Sequence, residues 1–121
     1  MKKTVIVGSS ENPSRYSNLV SHILHQKEIE FVPLGIKNGV ILGKEILNIA
    51  SHPFIKDVDT ITLYIGKEAQ KNYYDYLLSL KPKRIIFNPG TENSEFFDLA
   101  DKAGIEVMEA CTLVMLKTNQ Y

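Results

Sequence analysis

The sequence predicts an α/β fold: an open, mostly parallel five-stranded sheet with helices on both faces, one three-layer domain over residues 1–121. Three observations carry this reading. Short apolar runs end in glycine or proline, apolar stripes at helical spacing lie between them, and the two kinds of segment alternate along the chain. A βαβαβ order of this kind gives parallel strands joined by crossover helices.

Val5-Ile6-Val7, closed by Gly8, reads as a strand covered on both faces. Gly8-Ser9-Ser10 turns into a helix beginning near Ser14 or Arg15. Tyr16, Leu19, Val20, Ile23 and Leu24 form its stripe to about Lys27, with Asn18, His22 and His25 on the other side. Ile29 to Leu34 is the second expected strand. Over residues 36–57 Gly39, Gly43 and Pro53 punctuate a weak stripe of Leu42, Ile46 and Ile49, which predicts a loop with a short helix.

Asp59 to Ile65 alternates and is rich in β-branched residues, predicting the third strand. A helix is expected from Glu68 to Ser79, with Tyr73, Tyr76, Leu77 and Leu80 on one face and Pro82 beyond its end. Arg84 to Phe87 is the fourth strand. Thr91 or Asn93 caps the next helix, which is expected to bury Phe96, Leu99, Ala100 and Ala103 and to stop at Gly104. Ile105 to Met108 completes the five strands, and Thr112 to Leu116 is a last apolar run, either a short helix or an edge strand.

Composition narrows the function. The chain has 121 residues, 44% of them hydrophobic and 23% charged, the range of ordinary globular proteins. Its 14 basic and 14 acidic residues balance, so a nucleic-acid partner is not indicated. Cys111 is the single cysteine, and the Met1-Lys2-Lys3 start leads straight into a strand, so a cytoplasmic location is expected. No apolar run reaches the ~20 residues that span a bilayer.

In an open parallel sheet ligands bind outside the carboxyl ends of the strands. Gly8 permits close approach to the main chain, Ser9 and Ser10 add hydroxyls, and the following helix directs its free N–H groups at the turn. Arg15 supplies a fixed cationic fork, so the turn reads as an anion cradle. The dinucleotide fingerprint G-x-G-x-x-G is absent. The second strand also ends without the acid that holds an NAD ribose, while Lys37 follows three residues after Leu34. A ligand with a phosphate on its ribose fits this pattern better.

Several motifs together resemble the small stand-alone CoA-binding domain proteins, which are similar to the Rossmann-like CoA-binding domain of the succinyl-CoA synthetase α subunit. They are Val7-Gly8-Ser9-Ser10 with Asn12-Pro13 and Arg15-Tyr16-Ser17, Val32-Pro33 leading to Lys37, Gly43 after an apolar pair, and Lys81-Pro82-Lys83-Arg84. Asn88-Pro89-Gly90-Thr91-Glu92-Asn93 followed by Glu109-Ala110-Cys111 completes the set. The resemblance implies coenzyme A as ligand, its diphosphate on Gly8, Ser9 and Ser10, with Asn12 in the same turn and phosphate contacts from Arg15 and Ser17. It further implies Pro33 beside the adenosine, Lys37 on the ribose 3′-phosphate, Tyr64 and Ile65 lining the crevice, and Asn88, Pro89 and Gly90 facing the pantetheine arm. The chain departs from the family at Leu34-Gly35-Ile36, where members carry Val-Asn-Pro.

No catalytic group and no metal set stands out. His22, His25 and His52 read as surface residues, and Glu92 and Glu95 have no neighbours at ligand spacing. Cys111 reads as a small buried residue, or as a thiol able to form a mixed disulfide with CoA under oxidation. The three tyrosines at 73, 74 and 76 read as one packed face plus an exposed ring. The function expected is non-enzymatic binding of CoA or acyl-CoA, as a monomer or homodimer. The alternatives are a small oxidoreductase or transferase using an NAD(P)-type nucleotide in the same crevice, or a purely structural interaction domain.

Overall fold

A computed structural model describes residues 2–121. The chain starts in the middle of its sheet. Strand β1 (Thr4–Val7) is followed by helix α1 (Tyr16–Gln26), which returns the chain to β2 (Phe31–Gly35), parallel to β1 with Val5 opposite Val32. Residues 40–45 form a small hairpin of β3 (Val40–Ile41) and β4 (Lys44–Glu45), and β5 (Leu47–Asn48) then pairs in parallel with β2. After a 3₁₀ turn at Ile49–Ser51 the chain crosses to the other side of β1 as β6 (Thr60–Leu63). Helices α2 (Lys67–Gln70) and α3 (Tyr74–Ser79), with a 3₁₀ turn between them, lead to β7 (Arg84–Phe87). Helix α4 (Ser94–Lys102), β8 (Glu106–Glu109) and α5 (Thr112–Lys117) complete the chain.

The six strands run in the order β5-β2-β1-β6-β7-β8, all parallel. The expected α/β architecture is present, with one strand more than the five read from the sequence. That strand is β5, only two residues long, within the segment expected to be loop and short helix. Its brevity hides it from periodicity.

Two apolar layers sandwich the sheet. On one face Val5, Val7, Leu34, Ile61, Leu63, Ile85 and Phe87 pack against Tyr76, Leu77, Phe96 and Ala100 of α3 and α4. On the other, Ile6 and Phe31 meet Val20 and Leu24 of α1, Leu116 of α5 and Ile41 of the hairpin. The last apolar run is therefore a helix, the first of its two expected forms.

Three expectations about helices need correction. Asn18 is buried, because its Nδ2 donates to the Ser10 carbonyl at 2.9 Å, while Tyr16 and Leu19 of the predicted stripe are exposed. Leu99 of α4 and Ala103 at its C-terminal cap are also exposed. The helix expected over 68–79 is broken at Lys71–Tyr73. Its first turn is held to the sheet edge by buried Gln70, whose Nε2 donates to the carbonyls of Ile65 at 2.9 Å and Thr91 at 2.8 Å.

Candidate functional site

Because β1 pairs with β2 on one side and β6 on the other, the connections leaving these strands diverge to opposite faces and open a crevice at their carboxyl ends. A cleft of about 690 Å³ lies there. It is lined by the β1–α1 turn, by Gly35 at the end of β2 and Ile36 and Lys37 after it, by Tyr64 and Ile65 after β6, and by Ala69, Asn72 and Tyr73.

The turn is shaped by close main-chain packing. Gly8 has φ +97°, and a Cβ there would stand 2.9 Å from the Tyr64 carbonyl oxygen. Gly35 faces the same turn, with its absent Cβ 3.0 Å from the Ser9 carbonyl oxygen. The N–H groups of Gly8 and Ser9 both donate to the Leu34 carbonyl, at 2.8 and 3.1 Å, and the Ser9 hydroxyl donates to the Ile6 carbonyl. Ser9 thus commits both its polar hydrogens inward.

The groups left for a ligand lie one step further along. Among the described residues, the N–H groups of Ser10 and Glu11, and of Tyr16 and Ser17 at the start of α1, have no protein acceptor. An α-helix exposes such donors in its first turn. Asn12 organises the loop, its Oδ1 accepting from the Ser14 N–H and hydroxyl and its carbonyl from the Arg15 N–H. Ser17 also lies in the cleft wall.

Arg15 and Lys37 are the charged residues of the lining, both exposed, and neither pairs with an acidic group among the described residues. The lining contains no aspartate, glutamate, histidine or cysteine. Its electrostatic character is cationic. Burial pushes the Tyr64 hydroxyl up to about 12, so it stays protonated at neutral pH.

Of the residues singled out in the sequence, Gly8, Ser9, Ser10, Arg15, Ser17, Lys37, Tyr64 and Ile65 come together in this cleft. Asn12 is exposed and outside the lining. Pro33 lies within β2, buried and opposite Ile6, with Gly35 and Ile36 occupying the strand end. Asn88 is buried in a polar knot: its Nδ2 donates to Thr62 Oγ1 and the Leu63 carbonyl, and its Oδ1 accepts from the Thr112 N–H. Pro89 and Gly90 follow in an exposed turn outside the lining. Cys111 is half-buried at the cap of α5 and also outside it.

Ile36, Ile49, Ala69, Asn72 and Tyr73 line the cleft without having been singled out for it. Tyr73, expected on the packed face of a continuous helix, ends the 3₁₀ turn between α2 and α3 and both packs on the core and lines the cleft. Ile36 carried a usable signal, an isolated apolar side chain in a loop, and it is 73% exposed.

Fold and cleft together define an open α/β protein with a cationic crevice at the topological switch point of its sheet. The chain belongs to the CoA binding domain family, which matches residues 2–117. A crystal structure of an uncharacterised protein is 48% identical, with 100% of this chain and 98% of that chain covered and a TM-score of 0.96. A conserved hypothetical protein from Pyrococcus furiosus is 27% identical over 94% of this chain and 98% of that one, with a TM-score of 0.80. A hypothetical protein from Pyrococcus horikoshii OT3, 23% identical over 97% of this chain and 82% of its own, shares the fold with a TM-score of 0.83. The search of curated proteins found no match. No helix of the described residues is long and apolar enough to cross a membrane.

Proposed function

We propose that this protein binds coenzyme A, free or acylated, as a non-enzymatic binding module. The diphosphate rests on the β1–α1 turn and the adenosine end extends toward Lys37. The observation that carries the reading is the cleft's charge: two cations and a set of N–H groups that have no partner among the described residues, with no acidic side chain in the lining. Such a surface favours a ligand with several phosphate oxygens. Family membership supports coenzyme A as that ligand. The absence of a carboxylate, imidazole or thiol from the lining supports binding over acid–base or nucleophilic chemistry.

In this reading the ligand contacts on the turn come from Ser10 and Glu11 N–H, Arg15 and Ser17, while Gly8 and Ser9 shape the turn. Ile36 and Ile65 offer apolar surface to the adenine. Calorimetric titration with CoA, dephospho-CoA and NAD⁺ tests it. CoA is expected to bind more tightly than dephospho-CoA by ~1 kcal/mol or more, the worth of a charge-assisted contact to the 3′-phosphate. Preference for NAD⁺ would transfer the cleft to a different nucleotide, and binding of none of the three would refute the reading.

A further inference from the structure

Glu11 is the acidic residue of the β1–α1 turn, yet it is not part of the cleft lining. Its side chain reaches across to the segment after β2, where its Oε2 accepts the Val40 N–H at 2.8 Å. It also lies flat over Gly39: a Cβ on that glycine would stand 2.5 Å from Glu11 Cγ and 2.6 Å from Cδ. The glycine therefore makes the seat in which the side chain rests.

We infer that Glu11 is a latch that couples the two halves of the anion site, and so a positioning residue for ligand selectivity. This inference rests on the coenzyme A reading. One half is the turn that presents the Ser10 and Glu11 N–H groups; the other is the loop that carries Lys37, three residues before Val40. The loop is exposed from Ile36 to Asn38, and its far end is held by this bond and by the Ile46 N–H donating to the Gly39 carbonyl at 2.8 Å.

The latch has two effects with one side chain. It fixes the distance between the diphosphate donors and Lys37, the separation that a diphosphate with a second phosphate on its ribose must match. It also turns the turn's carboxylate out of the cleft, where it would repel that ligand. A glutamine can accept the same N–H bond without the charge, whereas alanine cannot. The two variants therefore separate geometry from electrostatics.

The experiment measures Kd for CoA and dephospho-CoA, the thermal midpoint and the amide exchange of Val40 in wild type, E11A and E11Q. E11A is expected to weaken CoA binding about tenfold and to bring the CoA to dephospho-CoA preference toward unity, with faster exchange at Val40. E11Q is expected to keep the wild-type preference and the Val40 protection. A lowered midpoint in E11A with an unchanged ratio of the two Kd values overturns the proposal, as does failure of E11Q to restore that ratio. Equal binding of both ligands by the wild type removes the part given to Lys37 and overturns it too. If the wild type binds neither, the coenzyme A reading itself has failed. The ligand-free exchange then decides the latch, and equal Val40 rates in wild type and E11A refute it.

Discussion

Gly8 and Leu42 both sit at positive φ, and only one of them is a glycine. At Gly8, with φ +97° and the Tyr64 carbonyl beside it, no side chain fits, and the residue type announced this in the sequence. Leu42, at φ 52°, shares with Gly43, at φ 78°, the two-residue turn between β3 and β4. Two positive φ values are what a type I′ hairpin requires, and asparagine followed by glycine suits it best. Since the left-handed region costs an ordinary residue about 1 kcal/mol or more, Leu42→Asn is expected to stabilise the protein by about 0.5–1 kcal/mol, read as a higher urea midpoint. Residue type alone misleads at Ser9 and Asn88. Both have the chemistry of a phosphate or amide contact, but Ser9 donates to β1 and β2 carbonyls and Asn88 ties β6 to α5. Which way a small polar side chain points is set by tertiary packing, to which one-dimensional patterning is blind.

Helix α4 shows a local signal that survived. Asn93 was legible as one of two candidate caps, with Thr91, and it is Asn93 whose Oδ1 accepts the Phe96 N–H at 3.2 Å. Its Nδ2 does more than the sequence could reveal, donating to Gln70 Oε1 at 2.9 Å and to the Tyr74 hydroxyl at 2.8 Å. One residue thus joins α4 to α2, which lends Ala69 to the cleft, and to α3. Asn93→Ala removes the cap and leaves the buried Gln70 amide oxygen unpaired, with an expected loss of about 1–3 kcal/mol in denaturant unfolding. Asn93→Asp keeps the cap and is expected to recover part of that loss. The long runs, β1, β6, β7 and α4, were readable because apolar periodicity over several residues leaves few alternatives. The hairpin and β5 were not, since two-residue strands carry no period and their pairing is decided by partners far along the chain.

Between and beside the two apolar layers, Tyr64 and Tyr76 are the tyrosines whose titration burial shifts furthest. Burial pushes Tyr64 and Tyr76 from their ordinary value of 10.0 up to about 12, and the Tyr76 hydroxyl donates to the Pro53 carbonyl at 2.6 Å. Between these pH values the unfolded chain releases protons that the folded chain keeps. Their contribution to stability is therefore complete below about pH 10 and is lost as pH rises toward 12. Denaturant midpoints measured across that window are expected to fall, and Tyr76→Phe, though less stable at neutral pH, is expected to show a shallower fall.

The same sheet has two free borders, each a row of unpaired main-chain groups on which another chain could add a strand. Strand β5 offers only Leu47 and Asn48, too short a template for a foreign strand to grip. Strand β8 is longer, but exposed Glu106 and Glu109 stand at its two ends. An incoming strand would have to bring its own backbone past those carboxylates and desolvate them. Brevity on one border and charge on the other make this parallel sheet a poor seed for amyloid-like stacking, however apolar its interior.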